Sequence, residues 1–128
     1  MTESTFNIKK WLSAYGPVLV WASIIFAFSS RGSWHAAEVS TLDFFMKKIA
    51  HMFEYSILYM LAARAWDMSI PGAKLGRYWF MPILFCLLYA VSDEWHQSWV
   101  PGRYPSIKDV GFDMVGVGLA FLVRYRYI

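Results

Sequence analysis

The first hydrophobic segment constrains this chain most. Trp11 to Ser30 form a continuous run without a charged side chain, preceded by two lysines. At 1.5 Å per residue, a helix of this length crosses a hydrocarbon core of roughly 30 Å. The run ends without a small-x-small cleavage site, so we expect it to stay attached as a first membrane span and not to serve as a signal peptide.

The composition also favours lipid as the solvent. Hydrophobic residues make up 58% of the chain and charged residues 16%, and aromatic residues reach 20% with 7 Trp and 8 Tyr. Trp and Tyr favour the membrane-water boundary. The net charge of +3 comes from short, scattered basic pairs, so we interpret it as a topology signal and expect no nucleic-acid partner. The single cysteine, Cys86, offers no disulfide framework and no CxxC motif.

Three further segments complete the predicted fold, an all-α integral membrane bundle of four transmembrane helices in a single domain over residues 1–128. The predicted spans are 11–30, 49–66, 78–97 and 107–123. The third and fourth apolar runs are too short unless they include the acidic residues beside them, so we expect those acids to enter the membrane. The stretch from Arg31 to Lys48 is too polar to cross, and we predict a short interfacial helix there.

Basic residues predict the orientation. With four spans, the flanks on one side hold Lys9, Lys10, Arg64, Lys74, Arg77, Arg124 and Arg126, and those on the other hold Arg31, Lys47, Lys48, Arg103 and Lys108. Seven against five favours a multi-pass protein of the cell membrane with both termini in the cytoplasm. Antiparallel threading also brings polar residues of three spans to one, extracytoplasmic, face: His51, Glu54, Asp93, Glu94, His96, Asp109 and Asp113.

Two short helical patterns carry the candidate chemistry. His51 and Glu54 are three residues apart and share a helix face, which Tyr55 and Leu58 continue. A histidine with a carboxylate suits metal binding or an oriented general base, although such a buried pair is often structural. On the next polar span, a second face holds Asp93, His96 and Gln97, while Glu94 points about 100° away.

A divalent metal is one use of these residues. Zn²⁺ accepts nitrogen and oxygen ligands of this kind. The candidate ligands are His51, Glu54, Asp93 and His96, with Asp109 or Asp113 to complete the shell. No HExxH or equivalent spacing identifies the metal. The alternative is an ion-paired, hydrogen-bonded plug that holds the bundle together.

The fourth span begins with two further acids. Asp109 and Asp113 are spaced i,i+4 and therefore stack on one helix face near its N-terminus. Helix capping explains Asp109, whereas Asp113 is one turn deeper and needs a partner, for which His51, His96, Arg103 and Arg31 are candidates. Arg103 suits either these carboxylates or a lipid phosphate. Ser106 is a suitable N-cap for the span.

Small residues follow these acids along the same span: Gly111, Gly116, Gly118 and Ala120. Small side chains let two helix backbones approach closely in a membrane. We interpret this group as a helix-packing surface and not as part of a chemical site.

These motifs together resemble the VanZ-like family of small bacterial membrane proteins. The resemblance rests on His51-Met-Phe-Glu54-Tyr55 with Leu58 and Arg64, on Ser92-Asp-Glu-Trp-His96-Gln97, on Pro101-Gly-Arg103 with Ser106, and on Asp109-x-x-x-Asp113-x-x-Gly116. It extends from Trp11 through Phe28-Ser29-Ser30 to the last glycines. Arg31 departs from the pattern, which more often has an uncharged polar residue after the serine pair.

The resemblance implies a four-helix membrane protein, and the namesake of the family is associated with low-level resistance to the glycopeptide teicoplanin. It supplies no established reaction. The catalytic candidates are Glu54, Asp93, Glu94, His96 and Asp109, and the ligand-binding candidates are His51, Gln97, Arg103, Ser106 and Asp113.

The sequence leaves several functions open. The first is a cell-envelope factor whose extracytoplasmic polar pocket binds or acts on a lipid-linked envelope molecule or a glycopeptide, with metal- or carboxylate-assisted chemistry. The second is a non-enzymatic structural or lipid head-group-binding module. A proton or ion pathway is disfavoured, because Met60 to Ala63 and Pro82 to Leu88 supply no acidic, basic or histidine side chains as relays.

Overall fold

A computed structural model describes residues 8–29, 41–70, 72, 74–99 and 107–127. In these ranges the chain forms four helices and no strand: α1 (Ile8–Ser29), α2 (Thr41–Ser69), α3 (Met81–Gln97) and α4 (Ile107–Arg124). The prediction of an all-α fold is therefore confirmed for the described residues.

Helix α1 begins one turn earlier than predicted, at Ile8, and contains Pro17. Proline has no N–H to donate to the carbonyl four residues earlier, which here belongs to Ser13. Nη1 of Arg64 on α2 donates to that carbonyl oxygen over 2.9 Å. A charged side chain of the neighbouring helix thus supplies the hydrogen bond that the proline cannot.

Helix α2 is longer than the predicted second span. Its 29 residues extend over about 43 Å. Residues 41–48, which we assigned to a separate interfacial helix, are its first two turns, so that part of the prediction is wrong. No glycine or proline interrupts the sequence between Thr41 and Ser69, and nothing local breaks the helix. Residues 31–40 lie outside the described ranges.

Helices α3 and α4 match the predicted spans at their polar ends. Helix α3 continues to Gln97 and so contains the acids at its end, as the shortness of its apolar run predicts. It begins at Met81 instead of residue 78, with Pro82 in its first turn, where proline needs no donor. Helix α4 begins at residue 107, as predicted, and ends at Arg124. Residues 100–106, which include the predicted helix stop and N-cap, are outside the described ranges.

Helix α2 is the centre of the bundle. It packs against α1, α3 and α4; α3 also packs against α4 and more slightly against α1, while the described parts of α1 and α4 do not meet. The largest fully buried side chains come from all four helices: Tyr55, Tyr59, Ile25, Leu58, Val117, Asp113 and Cys86. A carboxylate is thus part of the core.

The closest helix approach is between α2 and α4. A Cβ atom on Gly116 would overlap the backbone of Met52. Nearby, Oγ of Ser56 lies 2.7 Å from the carbonyl oxygen of Gly116 and 2.8 Å from that of Met52. By contrast, a Cβ on Gly111 or Gly118 would meet nothing within 4 Å. The predicted packing surface is therefore confirmed at Gly116, whereas Gly111 and Gly118 do not contribute to it.

The outer surface of the bundle is apolar. Large exposed hydrophobic side chains occur on each helix, for example Leu19, Phe53, Leu88 and Val123. By length and composition, one of the described helices, over Ile8–Phe28 with a mean hydropathy of 1.6, is able to cross a membrane.

Candidate functional site

Most of the predicted site residues lie towards one end of the bundle, where α3 ends and α4 begins beside the first half of α2. We call them the polar cluster: His51, Glu54, Asp93, Glu94, His96, Gln97, Asp109 and Asp113. Cross-helix contacts at this end confirm the antiparallel threading that the prediction required. Arg103 and Ser106 lie outside the described residues.

Two charged contacts join α2 to α4 within the polar cluster. Nδ1 of His51 lies 3.3 Å from Oδ1 of Asp113, and one helical turn away Lys48 pairs with Asp109. The two aspartates therefore share a face directed at α2, as their spacing predicts. His51 was one of the candidate partners for Asp113. Lys48 was considered only as a topology signal, although its spacing from His51 complements that of the two acids.

Asp113 is the most deeply buried charged group of the polar cluster, with 1% of its surface exposed. Its contact with His51 is not a regular hydrogen bond. Both carboxylate oxygens of Asp113 and Nδ1 of His51 therefore lack a hydrogen-bond partner within the described part of the chain. Because buried polar atoms nearly always have such a partner, this is an unusual state for a core side chain.

Glu54 adds a second carboxylate beside the same imidazole. It is half-buried, and His51, Asp93 and Asp113 all lie within electrostatic reach of it. Its backbone carbonyl accepts a hydrogen bond of 2.8 Å from Nε1 of Trp21, which joins α1 to α2 at this level. The imidazole thus lies near three carboxyl groups, those of Glu54, Asp93 and Asp113.

The α3 side of the polar cluster differs from the predicted face. Asp93, Glu94 and Gln97 are all buried, whereas His96 is only half-buried. The ring of His96 packs on Phe26 of α1 with centroids 4.3 Å apart. Because α3 packs against both α2 and α4, a wide arc of this helix is covered, and that arc includes Glu94.

An aromatic layer lies beneath the polar cluster. Tyr55 is fully buried, and its hydroxyl donates to Oδ2 of Asp93 over a long 3.5 Å. The hydroxyl of Tyr89 donates to the carbonyl of Ala22 over 2.5 Å, and the two tyrosine rings lie 6.1 Å apart. The sequence predicts only that Tyr55 continues the helix face of His51 and Glu54. Its position one turn after His51 also indicates that it lies beside the polar cluster.

The predicted zinc ligands point in different directions. His51 faces α4, while His96 packs on α1. Among the described residues, no group of three or more His, Cys, Asp and Glu side chains is arranged to hold a metal ion. We therefore do not assign a metal to this site.

A second cluster of polar side chains, which the sequence patterns did not predict, lies at the opposite end of the bundle. We call it the basal latch: Tyr59, Asp67, Lys74, Arg124 and Tyr125. The guanidinium of Arg124 donates to Oδ1 of Asp67 over 2.6 Å and to the hydroxyl of Tyr59 over 3.2 Å. Nζ of Lys74 donates to the carbonyl of Arg124 over 2.8 Å.

The two polar ends therefore differ in how completely they are hydrogen-bonded. In the basal latch, the carboxylate of Asp67 and the guanidinium of Arg124 bond to each other, and we interpret the latch as structural. In the polar cluster, Asp113 and Gln97 are more than nine-tenths buried and retain polar atoms without hydrogen-bond partners in the described chain. The polar cluster is the better candidate for binding a ligand.

The comparisons with known proteins give one positive result. Residues 3–127 match the model of the VanZ/LLP1 family. Searches of curated proteins and of solved structures found no match. Because the family match covers nearly the whole chain and agrees with the motifs that form the polar cluster, the protein belongs to the VanZ/LLP1 family.

Proposed function

We propose that this protein crosses the cell membrane four times and binds the polar part of a cell-envelope molecule in its polar cluster. The main support is the environment of Asp113. This carboxylate is fully buried towards one end of an apolar bundle, and its oxygens have no hydrogen-bond partner within the described chain. In a membrane, ionisable residues are costly, and they mark functional sites more often than structural ones.

The surface of the bundle supports a multi-pass arrangement. Leu19, Phe53, Leu88 and Val123, one on each helix, are all more than half exposed, while Asp113 is buried. Lipid is a suitable environment for such side chains, whereas in water this much exposed apolar surface would promote association. Family membership agrees, because VanZ proteins are generally membrane-associated.

The orientation assigns the ligand to one side of the membrane. Seven basic residues lie on the side of the two termini and five on the other side, which favours cytoplasmic termini. The polar cluster then opens towards the extracytoplasmic side, where a lipid-linked envelope molecule or a glycopeptide is accessible.

Binding fits the geometry better than catalysis. A general base needs an imidazole held in one orientation by its neighbour. The contact between His51 and Asp113 does not have regular hydrogen-bond geometry, so it supports an oriented general base less than it supports a binding site. Binding requires only buried acceptors that a ligand can reach.

Lipid extracted from the purified protein tests this proposal. The wild type, Asp113→Asn and Asp67→Asn are purified in the same mild detergent, and the bound lipids are identified by mass spectrometry. We expect the wild type and Asp67→Asn to retain a polar envelope lipid that Asp113→Asn loses. Asp67 is a suitable control because it belongs to the basal latch. Identical lipid profiles in all three proteins would contradict the proposal.

A structural role for the polar cluster is the second candidate, supported by the charged contacts of Lys48 and His51 with α4. If these contacts serve only to hold the bundle together, Asp113→Asn will lower the melting temperature without changing the bound lipid. Thermal unfolding measured on the same three samples separates the two roles.

A further inference from the structure

We infer that the ligand group bound against Asp113 is a protonated amine, which carries both a positive charge and N–H donors. This inference rests on the proposed function and specifies the chemistry of its ligand. Three side chains carry it: His51 and Glu54 in the first half of α2, and Asp113 near the start of α4.

The charges around Asp113 favour a cationic ligand. His51 contributes at most one positive charge, and the carboxylates of Glu54 and Asp113 both lie within electrostatic reach of it. At least one negative charge therefore remains when both carboxylates are ionised. Lys48, one turn away, is paired with Asp109. A cationic ligand group would balance this charge, whereas an anionic phosphate would add to it.

The hydrogen-bonding capacity of Asp113 favours a ligand with N–H donors. An ionised carboxylate only accepts hydrogen bonds, and both oxygens of Asp113 are buried without a donor in the described chain. A primary ammonium group offers three N–H donors together with its charge. A quaternary ammonium group has the charge without donors, and a hydroxyl group has a donor without the charge.

The position of Asp113 limits where a ligand can reach it. Asp113 lies one turn inside α4 from Asp109, and its side chain is directed at α2, where Nδ1 of His51 is 3.3 Å away. The bound group must therefore enter between α2 and α4 near the start of α4. Primary ammonium groups occur in ethanolamine head groups and in amino sugars.

Three lipids with identical acyl chains separate charge from hydrogen bonding. The full chain in detergent is titrated with phosphatidylethanolamine, phosphatidylcholine and phosphatidylglycerol, and native mass spectrometry measures the dissociation constants. We expect phosphatidylethanolamine to bind about tenfold more tightly than the other two, the difference that one charge-assisted hydrogen bond supplies. Asp113→Asn should remove the preference, and Asp67→Asn should keep it.

A soluble pair distinguishes the source of the amine. Glucosamine and glucose are added to the same protein, and the shift in melting temperature is measured. Stabilisation by glucosamine but not by glucose, without a preference among the lipids, would support the inference and assign the amine to a soluble or sugar-linked ligand. Glu54→Gln is a second variant for both experiments, and it keeps the test valid if Asp113→Asn does not fold.

The experiments distinguish failure of the amine inference from failure of the proposed function. If phosphatidylglycerol binds as tightly as phosphatidylethanolamine and Asp113→Asn weakens both, the amine inference is overturned while the proposed function stands. If none of the probes binds, and the variants behave as the wild type does, the amine inference and the proposed function are both overturned.

Discussion

At Gly116, a single hydrogen atom in place of a side chain decides how closely α4 can approach α2. A Cβ at this position would overlap the carbonyl group of Met52, and backbone atoms cannot move aside as a flexible side chain can. The close approach also brings Ser56 to the carbonyl of Gly116. His51 and Asp113 lie on the same pair of helices, so this residue also affects the geometry of the polar cluster.

Gly116→Ala should lower the free energy of unfolding by roughly 1–3 kcal/mol, because the added methyl group forces the two helices apart. Thermal unfolding in detergent measures the loss. Gly118→Ala is the matched control, since a Cβ there meets nothing within 4 Å. The control should be neutral or slightly stabilising, because alanine favours helix over glycine. Equal melting temperatures for the two variants would show that the close approach does not limit stability.

At the scale of elements, polar side chains join neighbouring helices at both ends of the bundle. Arg64 of α2 bonds to Ser13 of α1, and Arg124 of α4 bonds to Asp67 of α2. From the sequence, Arg124 was only a topology signal, and Arg64 was a topology signal and a residue of the family motifs. Their partners are a carbonyl that Pro17 leaves free and a carboxylate at the end of another helix.

Arg64→Ala should cost about 1 kcal/mol in the wild type and less in a Pro17→Ala background. In that background, the amide of residue 17 can donate to the Ser13 carbonyl, so the arginine is no longer needed there. A double-mutant cycle of thermal or denaturant unfolding measures the coupling between the two positions. The same penalty in both backgrounds would contradict this role for Arg64.

Arg124→Ala should destabilise the bundle by about 1–3 kcal/mol, because it leaves Asp67 and the hydroxyl of the buried Tyr59 without their donor. Its side chain is only 7% exposed. The exposed Arg126, two residues later, is the control, and Arg126→Ala should change the melting temperature little. A loss of similar size in both variants would indicate a general effect of charge near the C-terminus.

At the scale of the whole molecule, polar groups share the core with apolar side chains, and large apolar side chains also lie on the surface. Large hydrophobic side chains cover the outside of all four helices, and Asp93, Glu94, Gln97 and Asp113 are inside. Among the described residues, Gln97 and Asp113 at one end have side-chain atoms without hydrogen-bond partners, while the opposite end is held by the basal latch. This asymmetry supports the proposal that one end binds a ligand and the other is structural.

Cysteine labelling at the two ends of the bundle tests the membrane arrangement. Leu75, 90% exposed, follows α2, and Trp99, 66% exposed, follows α3. In a Cys86→Ala background, a membrane-impermeant maleimide should label Trp99→Cys in spheroplasts and Leu75→Cys in inverted vesicles. The reverse pattern would keep the spans and overturn the orientation. Labelling of both positions from one side would contradict a membrane-spanning bundle.

The sequence by itself determined the type of the elements and the existence of four long helices, although it separated residues 41–48 from α2. Four apolar segments separated by polar stretches predicted four helices, and the shortness of two segments predicted that their acids belong to the helices. The i,i+4 spacing of Asp109 and Asp113 also placed both on one face. These are properties of one helix at a time, and local periodicity is sufficient to predict them.

Only the tertiary structure decided which residues meet. It directed His51 to Asp113 and His96 to Phe26, and it left Gly116 as the one of the three α4 glycines in close contact. These choices depend on how each helix is rotated about its axis and where it crosses its neighbours, which packing determines and hydropathy does not. The polar cluster was therefore predictable in its residues but not in its contacts.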